Sequence, residues 1–274
     1  MSSSEIQFIQ KCFNSACAFI EDANDRILKL YSSDFATEFK SDNSPVTELD
    51  KTIEEDFIKF LSKFYPDHGL VGEEFGAINI QSPYQWIIDP IDGTLSMVNR
   101  VPTFGTMISL RIENVPVLGI IHHPALGITV SGYKGQGVTY KNSIGENRKV
   151  SLKSVDSQEV DFVKHMVGVS SPNSFMRGGA LSQNNLQKII SSVAQARMYY
   201  DCFGLSHLAS GGLAGYVEAN ARIWDLAAIE FLVQEAGGVY LPVGQTYDGT
   251  NYDQRFSALL GAKNTVNKLL EIIT

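Results

Sequence analysis

The sequence predicts an α/β protein in two halves: helices packed on a mostly antiparallel sheet over residues 1–145, then an α/β alternation over 146–274. Two observations carry this. In the first half, apolar residues recur at helical spacing and then give way to short β-rich runs between turn residues. Beyond about residue 150, strand-like and helix-like runs alternate instead.

Ile6, Ile9, Phe13, Ala16, Ile20 and Ile27 keep a three-four rhythm, which predicts an amphipathic helix over the first thirty residues. The polar stretch 41–45 breaks it. Ile53, Phe57, Phe60 and Phe64 mark one face of a second helix that Pro66 ends. Trp86, Ile87 and Ile88 suit a buried strand. Asp89 should be its last residue, because Pro90 fixes φ and has no N–H for onward pairing. Strand runs follow at 106–112, 117–122, 128–133 and 138–141, with Glu113-Asn114 and the hairpin turn Gly135-Gln136-Gly137 between them. In the second half, strand-like runs at 166–170, 215–218, 239–241 and 258–261 alternate with helical ones near 182–196, 203–210 and 226–236. The boundary at 143–160 is polar but not a long linker, so the halves should share an interface.

A chain of 274 residues that is 44% apolar can bury a large core. A net charge of −8 argues against a nucleic-acid surface, which needs a basic stripe. Cys12, Cys17 and Cys202 are odd in number and form no CxxC pair, so they read as packing residues in a reduced setting. Met-Ser-Ser-Ser-Glu at the start has no basic n-region or cleavage site. No run of about 18 apolar residues suggests a membrane span. The expectation is a cytoplasmic protein with neither nucleic-acid nor membrane partners.

Four separated segments supply acids: 46–50, Gly72-Glu73-Glu74, 89–94, and Trp224-Asp225 at the start of a helix closed by Gly237-Gly238. Mg²⁺ takes oxygen ligands, often one or two carboxylates with water and phosphate oxygens. Two such ions roughly 3.5–4 Å apart clamp the attacking and leaving oxygens of an in-line displacement. Asp89, between Glu73 and Asp92, is the natural bridging ligand. Backbone N–H groups of Gly93 and Thr94 are positioned for phosphate oxygens if a helix starts there. Each segment also has a plain structural reading. Thr47-Glu48-Leu49-Asp50 makes a capping box, Asp225 an N-cap, Glu73-Glu74 a solvated loop, and Asp89 to Gly93 an Asx-type turn. All four lie at element ends, where no amphipathic pattern calls for a charge, and that favours a joint site. His122-His123 is no metal pair, because adjacent strand residues point to opposite faces. His68, His165 and His207 are isolated.

Gly72-Glu73-Glu74, then Asp89-Pro90-Ile91-Asp92-Gly93-Thr94, then Trp224-Asp225 with Glu235-Ala236-Gly237-Gly238 stand in that order along the chain. On these motifs the sequence resembles the inositol monophosphatase family of Mg²⁺-dependent phosphatases over nearly its whole length. The resemblance implies a layered αβαβα sandwich, a homodimer, lithium inhibition as in many members, and two or three Mg²⁺ per site. It implies that Glu73, Asp89 and the Ile91 carbonyl hold one ion, and Asp89, Asp92 and Asp225 a second. Glu73 and Thr94 would orient the attacking water, with Asp50 accepting from Thr94. Gly93, Thr94, Asp92, Asp201, Glu218 and Asp225 would contact substrate, Glu218 as a hydroxyl acceptor.

Ser96 and Met97 depart from the family's usual Asn and aromatic residue, and Tyr200-Asp201 from the small residues of inositol-specific members. Asp201-Cys202-Phe203-Gly204 followed by Leu208-Ala209-Ser210-Gly211 is more similar to the histidinol-phosphate phosphatase branch, in which an Asp could meet a substrate ammonium. Trp224 is instead the inositol-branch residue. The expected activity is hydrolysis of an inositol-monophosphate-like polyol phosphate. Histidinol-phosphate phosphatase is the alternative, followed by 3′(2′),5′-bisphosphate nucleotidase or a non-hydrolysing phosphometabolite-binding protein.

Overall fold

In the computed structural model, residues 2–33, 38–39, 45–152, 161–162, 165–199 and 201–274 are described. Helices α1 (Ser3–Tyr31) and α2 (Glu48–Phe64) form the outermost layer, with a two-stranded ribbon of β1 (Glu38–Phe39) and β2 (Pro45–Val46) between them in sequence. α1 buries Ile9, Cys12, Ala16, Ile20 and Ile27, and α2 buries Ile53, Phe57 and Leu61. Each set follows the helical repeat and faces one side of an eight-stranded sheet.

That sheet comprises β3 (Gly69–Gly72), β4 (Gly76–Ile78), β5 (Tyr84–Asp92), β6 (Gly105–Ile112), β7 (Val115–His123), β8 (Ile128–Tyr133), β9 (Val138–Asn142) and β10 (Asn147–Val150). Its order is β10-β9-β8-β7-β6-β5-β3-β4, and only β3 with β5 is parallel. Period-two alternation divides its side chains. Leu70, Trp86, Ile88, Ile108 and Leu118 meet α1 and α2, while Val71, Ile87, Met107 and Ile121 point to the other face.

On that other face lie α6 (Asp201–Ala209) and α7 (Ile223–Glu235). α7 buries Ile223, Leu226, Ala227, Ile229, Phe231, Leu232 and Val233, apolar on nearly every side because a second sheet covers it from behind. This sheet runs β12-β11-β13-β15-β14, from β11 (Val167–Val169), β12 (Ala196–Met198), β13 (Gly215–Ala221), β14 (Val239–Pro242) and β15 (Phe256–Gly261). Its far face, with Val169, Val217 and Leu259, packs on Ile189 of α5 (Gln183–Ser192) and Leu269 of α8 (Lys263–Ile273). Short helices α3 (Thr94–Val98) and α4 (Pro172–Met176) are the others among the described residues. The layers are therefore helix, sheet, helix, sheet, helix, the αβαβα sandwich that the family resemblance implies. Among the described residues, no helix is long and apolar enough to cross a membrane.

Several local expectations differ from the structure. β5 does not stop at Asp89; it passes through Pro90, the register with β6 shifts, and pairing resumes at Asp92 with Gly105. The proline falls in this irregular stretch, where its carbonyl accepts the Thr106 hydroxyl at 2.7 Å. The helix predicted over 182–196 ends at Ser192, and Ala196–Met198 becomes an edge strand parallel to β11. Phe64, the last residue of α2, is 56% exposed rather than part of the buried face. The predicted break at 41–45 and boundary at 143–160 lie partly outside the described residues, and Tyr200 lies wholly outside them.

Candidate active site

β5 carries Asp89 on the same face as Ile87, toward α6 and α7, with 1% of its surface exposed. Gly93, at φ +83°, turns the chain out of the strand and into α3. The turn brings the Thr94 hydroxyl to 3.0 Å from the Ile91 carbonyl and 2.9 Å from Asp50 Oδ1. The Asp50 carboxylate also caps α2, accepting the Thr47 N–H on Oδ2 at 2.8 Å. Capping box and Thr94 contact therefore coexist in one side chain. Asp225 sits in the first turn of α7, three residues after the cap position, which Arg222 occupies. It is not the N-cap; its Oδ2 reaches back to the Arg222 N–H at 2.8 Å.

Asp89, Asp92 and Asp225 each offer an oxygen to one cluster in which these atoms lie within 4.8 Å of one another. Burial, then the charges of Glu73, Asp92, Asp225 and Asp50, holds Asp89 well above the usual carboxylate range. Burial, Asp201 and Asp225 do the same to Asp92. Asp225 is pushed up to about 7, chiefly by burial, against the pull of the Arg222 N–H, with Glu73 adding repulsion. Glu73 itself stands in the turn between β3 and β4. Asp89 Oδ1 is buried and has no hydrogen-bond partner. So many like charges cannot ionise together in a closed space without a counter-charge, and a buried carboxylate oxygen without a partner asks for one. Hard oxygen donors of this kind fit Mg²⁺.

Asp201 opens α6 at φ +52° and lies directly on Gly93, where a Cβ would come within 2.3 Å of its Cγ. Its Oδ2 accepts the Thr103 hydroxyl at 2.8 Å, and Ser96 bonds to the same carboxylate. The next amide, that of Cys202, donates to Asp92 Oδ2. Glu218, on β13, is pushed up to about 8 by burial and by Asp225, opposed by Ser170 and the Ala219 N–H. All the acids singled out in the sequence thus feel one another across this seam. The histidines do not join them. His122 bonds to Thr129 and Asn24 on the α1 side, and His123 bonds to Ser206 on the other. Glu235 accepts the Gly135 and Gly137 amides and holds the hairpin between β8 and β9.

Sequence reasoning missed Glu54, which is fully buried on α2 and accepts the Glu74 N–H at 2.8 Å and the Phe75 N–H at 2.9 Å. A signal was present, since Glu54 falls in the buried stripe with Asp50, Ile53 and Phe57, where an acid needs partners. It also missed Arg255, whose charge acts on Asp225.

The inositol monophosphatase family model matches residues 9–271. A histidinol-phosphatase of Chlorobaculum parvum is 34% identical over 199 residues, 73% of each chain. An inositol monophosphatase of Dictyostelium discoideum is 30% identical over 272 residues, 97% of this chain and 96% of that one. The extragenic suppressor protein suhB of Bartonella henselae shares the fold with a TM-score of 0.82 at 22% identity, covering 96% of this chain and 98% of its own. An IMPase/NADP phosphatase complexed with Mg²⁺ and phosphate does so with a TM-score of 0.80 at 19% identity, covering 97% and 95%. Matched along nearly its entire length, this chain belongs to the inositol monophosphatase family, a family of phosphatases.

Proposed function

We propose that this protein hydrolyses the phosphomonoester of a small polyol, of the inositol monophosphate kind, in a Mg²⁺-dependent reaction. The observation that carries the reading is the meeting of oxygens from Asp89, Asp92 and Asp225 within 4.8 Å of one another, together with a buried, unpartnered oxygen on Asp89. Glu73, Asp89 and the Ile91 carbonyl would hold one ion, and Asp89, Asp92 and Asp225 another. Bound there, the ions would neutralise the carboxylates and draw charge from the phosphate oxygens.

The chain's own groups divide the remaining work. The Thr94 hydroxyl, donating to Asp50 Oδ1 at 2.9 Å, keeps its lone pairs for the attacking water. Glu73 accepts that water's proton. The Gly93 and Thr94 amides hold phosphate oxygens, and Glu218 accepts a substrate hydroxyl. Asp225 orients a water that supplies the proton to the leaving oxygen. Positioning and charge neutralisation suffice for such a transfer without a phosphorylated residue.

Histidinol phosphate is the second reading, favoured by Asp201, which lies against Gly93 and would meet an ammonium group. The experiment is phosphate release by the purified protein with Mg²⁺ from inositol 1-phosphate, histidinol phosphate and adenosine 3′,5′-bisphosphate. Fastest release from the inositol ester supports the proposal, and fastest release from histidinol phosphate moves the assignment to the second reading. Preference for the bisphosphate, or tight binding without release of phosphate, overturns both.

A further inference from the structure

The turn that carries Glu73 has little apolar anchorage of its own. Phe75 is 45% exposed, and β4 behind it is only partly buried. What lies beneath the turn is Glu54, with none of its surface exposed. Its Oε2 accepts the Glu74 amide at 2.8 Å and its Oε1 accepts the Phe75 amide at 2.9 Å. The carboxylate enters through the space left by Gly72, where a Cβ would lie 1.9 Å from Oε1 and 2.3 Å from Cδ. Gly72 has no positive φ to explain its lack of a side chain, so the approach of Glu54 is the reason a glycine stands there.

Glu54 follows Asp50 by four residues, so both project from the same face of α2, about 6 Å apart along its axis. Asp50 fixes the Thr94 hydroxyl, and Glu54 fixes the turn after β3. One helix face thus sets the spacing of two loops that come from different strands.

We infer that Glu54 is a positioning residue, whose two-amide clamp holds the 73–75 turn so that Glu73 faces Asp89. The inference rests on the proposed role of Glu73 at the Mg²⁺ site. Glu54→Gln is the direct test, because a side-chain amide keeps the shape but turns one acceptor into a donor facing an N–H. In the metal-free protein, hydrogen exchange at the Glu74 and Phe75 amides should quicken while the core strands keep their protection. Calorimetry with Mg²⁺ alone should give affinity about 10- to 100-fold weaker, the loss usual when a ligand's support is removed. Gly72→Ala, which displaces the carboxylate from the other side, should reproduce both effects. Added to Glu54→Ala, it should change neither further, because the space is then open.

Unchanged exchange at these two amides in a folded Glu54→Gln protein overturns the inference. So does wild-type Mg²⁺ affinity in that variant. If Glu54→Gln does not fold, Gly72→Ala decides by the same two readings. Should the unaltered protein bind no Mg²⁺, the metal reading fails, and the exchange data still decide whether Glu54 clamps the turn.

Discussion

Replacing Asp225 with Asn should stabilise the metal-free protein at alkaline pH and remove its response to Mg²⁺. Burial and the neighbouring acids push Asp225 up to about 7 from its ordinary 3.8. A shift of that size corresponds to roughly 4 kcal/mol at 1.36 kcal/mol per pH unit. Asp225 is half-buried and shares its charge state with Asp89 and Asp92, so screening reduces the recoverable part to on the order of 1–2 kcal/mol. The sign follows from linkage. A raised carboxyl keeps its proton in the folded state, so its contribution is full below pH 4 and is lost as the pH rises through 7. Asn never ionises, and its Oδ1 still accepts the Arg222 N–H. Thermal unfolding in EDTA should therefore give the variant a Tm several degrees higher at pH 8.5, at about 2–4 °C per kcal/mol, with the gap closing at pH 4.5. Glu54, pushed up to about 7 by burial and by its own neighbours Glu74 and Glu73, tilts both proteins alike and cancels in the difference, whereas Glu218, raised in part by the Asp225 charge, is relieved in the variant and adds to its advantage at high pH. With Mg²⁺ at about 100 times its Kd, the wild type should gain about 2.7 kcal/mol and the variant far less. A variant less stable than wild type at pH 8.5 without metal would refute the like-charge argument. Equal stabilisation of both proteins by Mg²⁺ would refute the place of Asp225 in the cluster.

Asp89→Asn and Asp92→Asn should each abolish Mg²⁺-dependent phosphate release while leaving the circular dichroism spectrum unchanged; full turnover in either variant counts against the metal assignment. Asp201→Ala should slow release from histidinol phosphate more than from inositol 1-phosphate if the second substrate reading holds, and an equal loss on both would mark Asp201 as support for the Gly93 turn alone. Glu230→Ala strands the buried Arg111 guanidinium, now 2.7 Å from the Glu230 carboxylate, and should cost about 3–5 kcal/mol in denaturant unfolding. A loss under about 1 kcal/mol would mean that Asn114 and the Tyr247 ring carry Arg111 without the carboxylate.

Periodicity made most of the long elements legible, though not the eleven-residue α8. α1, α2 and the hairpin strands β6 to β9 display their buried faces as residue spacing, and the structure follows them within a few residues. β3, β4 and β12 escaped because three or four residues do not complete a pattern. Pro90 misled because a proline is tolerated in a strand where the register slips, and slippage belongs to the partner strand as much as to the sequence around it. At the site, the acids were visible as charges at element ends, but the contacts among them span the chain. Thr94 meets Asp50 across 44 positions, and the Cys202 amide meets Asp92 across 110. The need for Gly93 was legible as a turn. The pressure of Asp201 on its Cα was not, since that depends on how α6 docks.

The structural and chemical readings of these acids were posed as alternatives, and the hydrogen bonds make them one. Asp50 gives Oδ2 to the Thr47 amide and Oδ1 to the Thr94 hydroxyl. Asp225 gives Oδ2 to the Arg222 amide and still offers an oxygen to the cluster with Asp89 and Asp92. Asp92 takes the Cys202 amide while belonging to that same cluster. A carboxylate tied at one oxygen to the first turn of a helix has lost most of its freedom before any ligand arrives. The repulsion among these groups would drive free side chains apart, and the caps prevent it. Asp89 has no such tether, and its Oδ1 remains orphaned, so it is the group with most to gain when a cation enters. The site is thus held open by bonds that need no metal, and the strain it retains is concentrated at Asp89, the residue that the proposed function makes the bridge between ions.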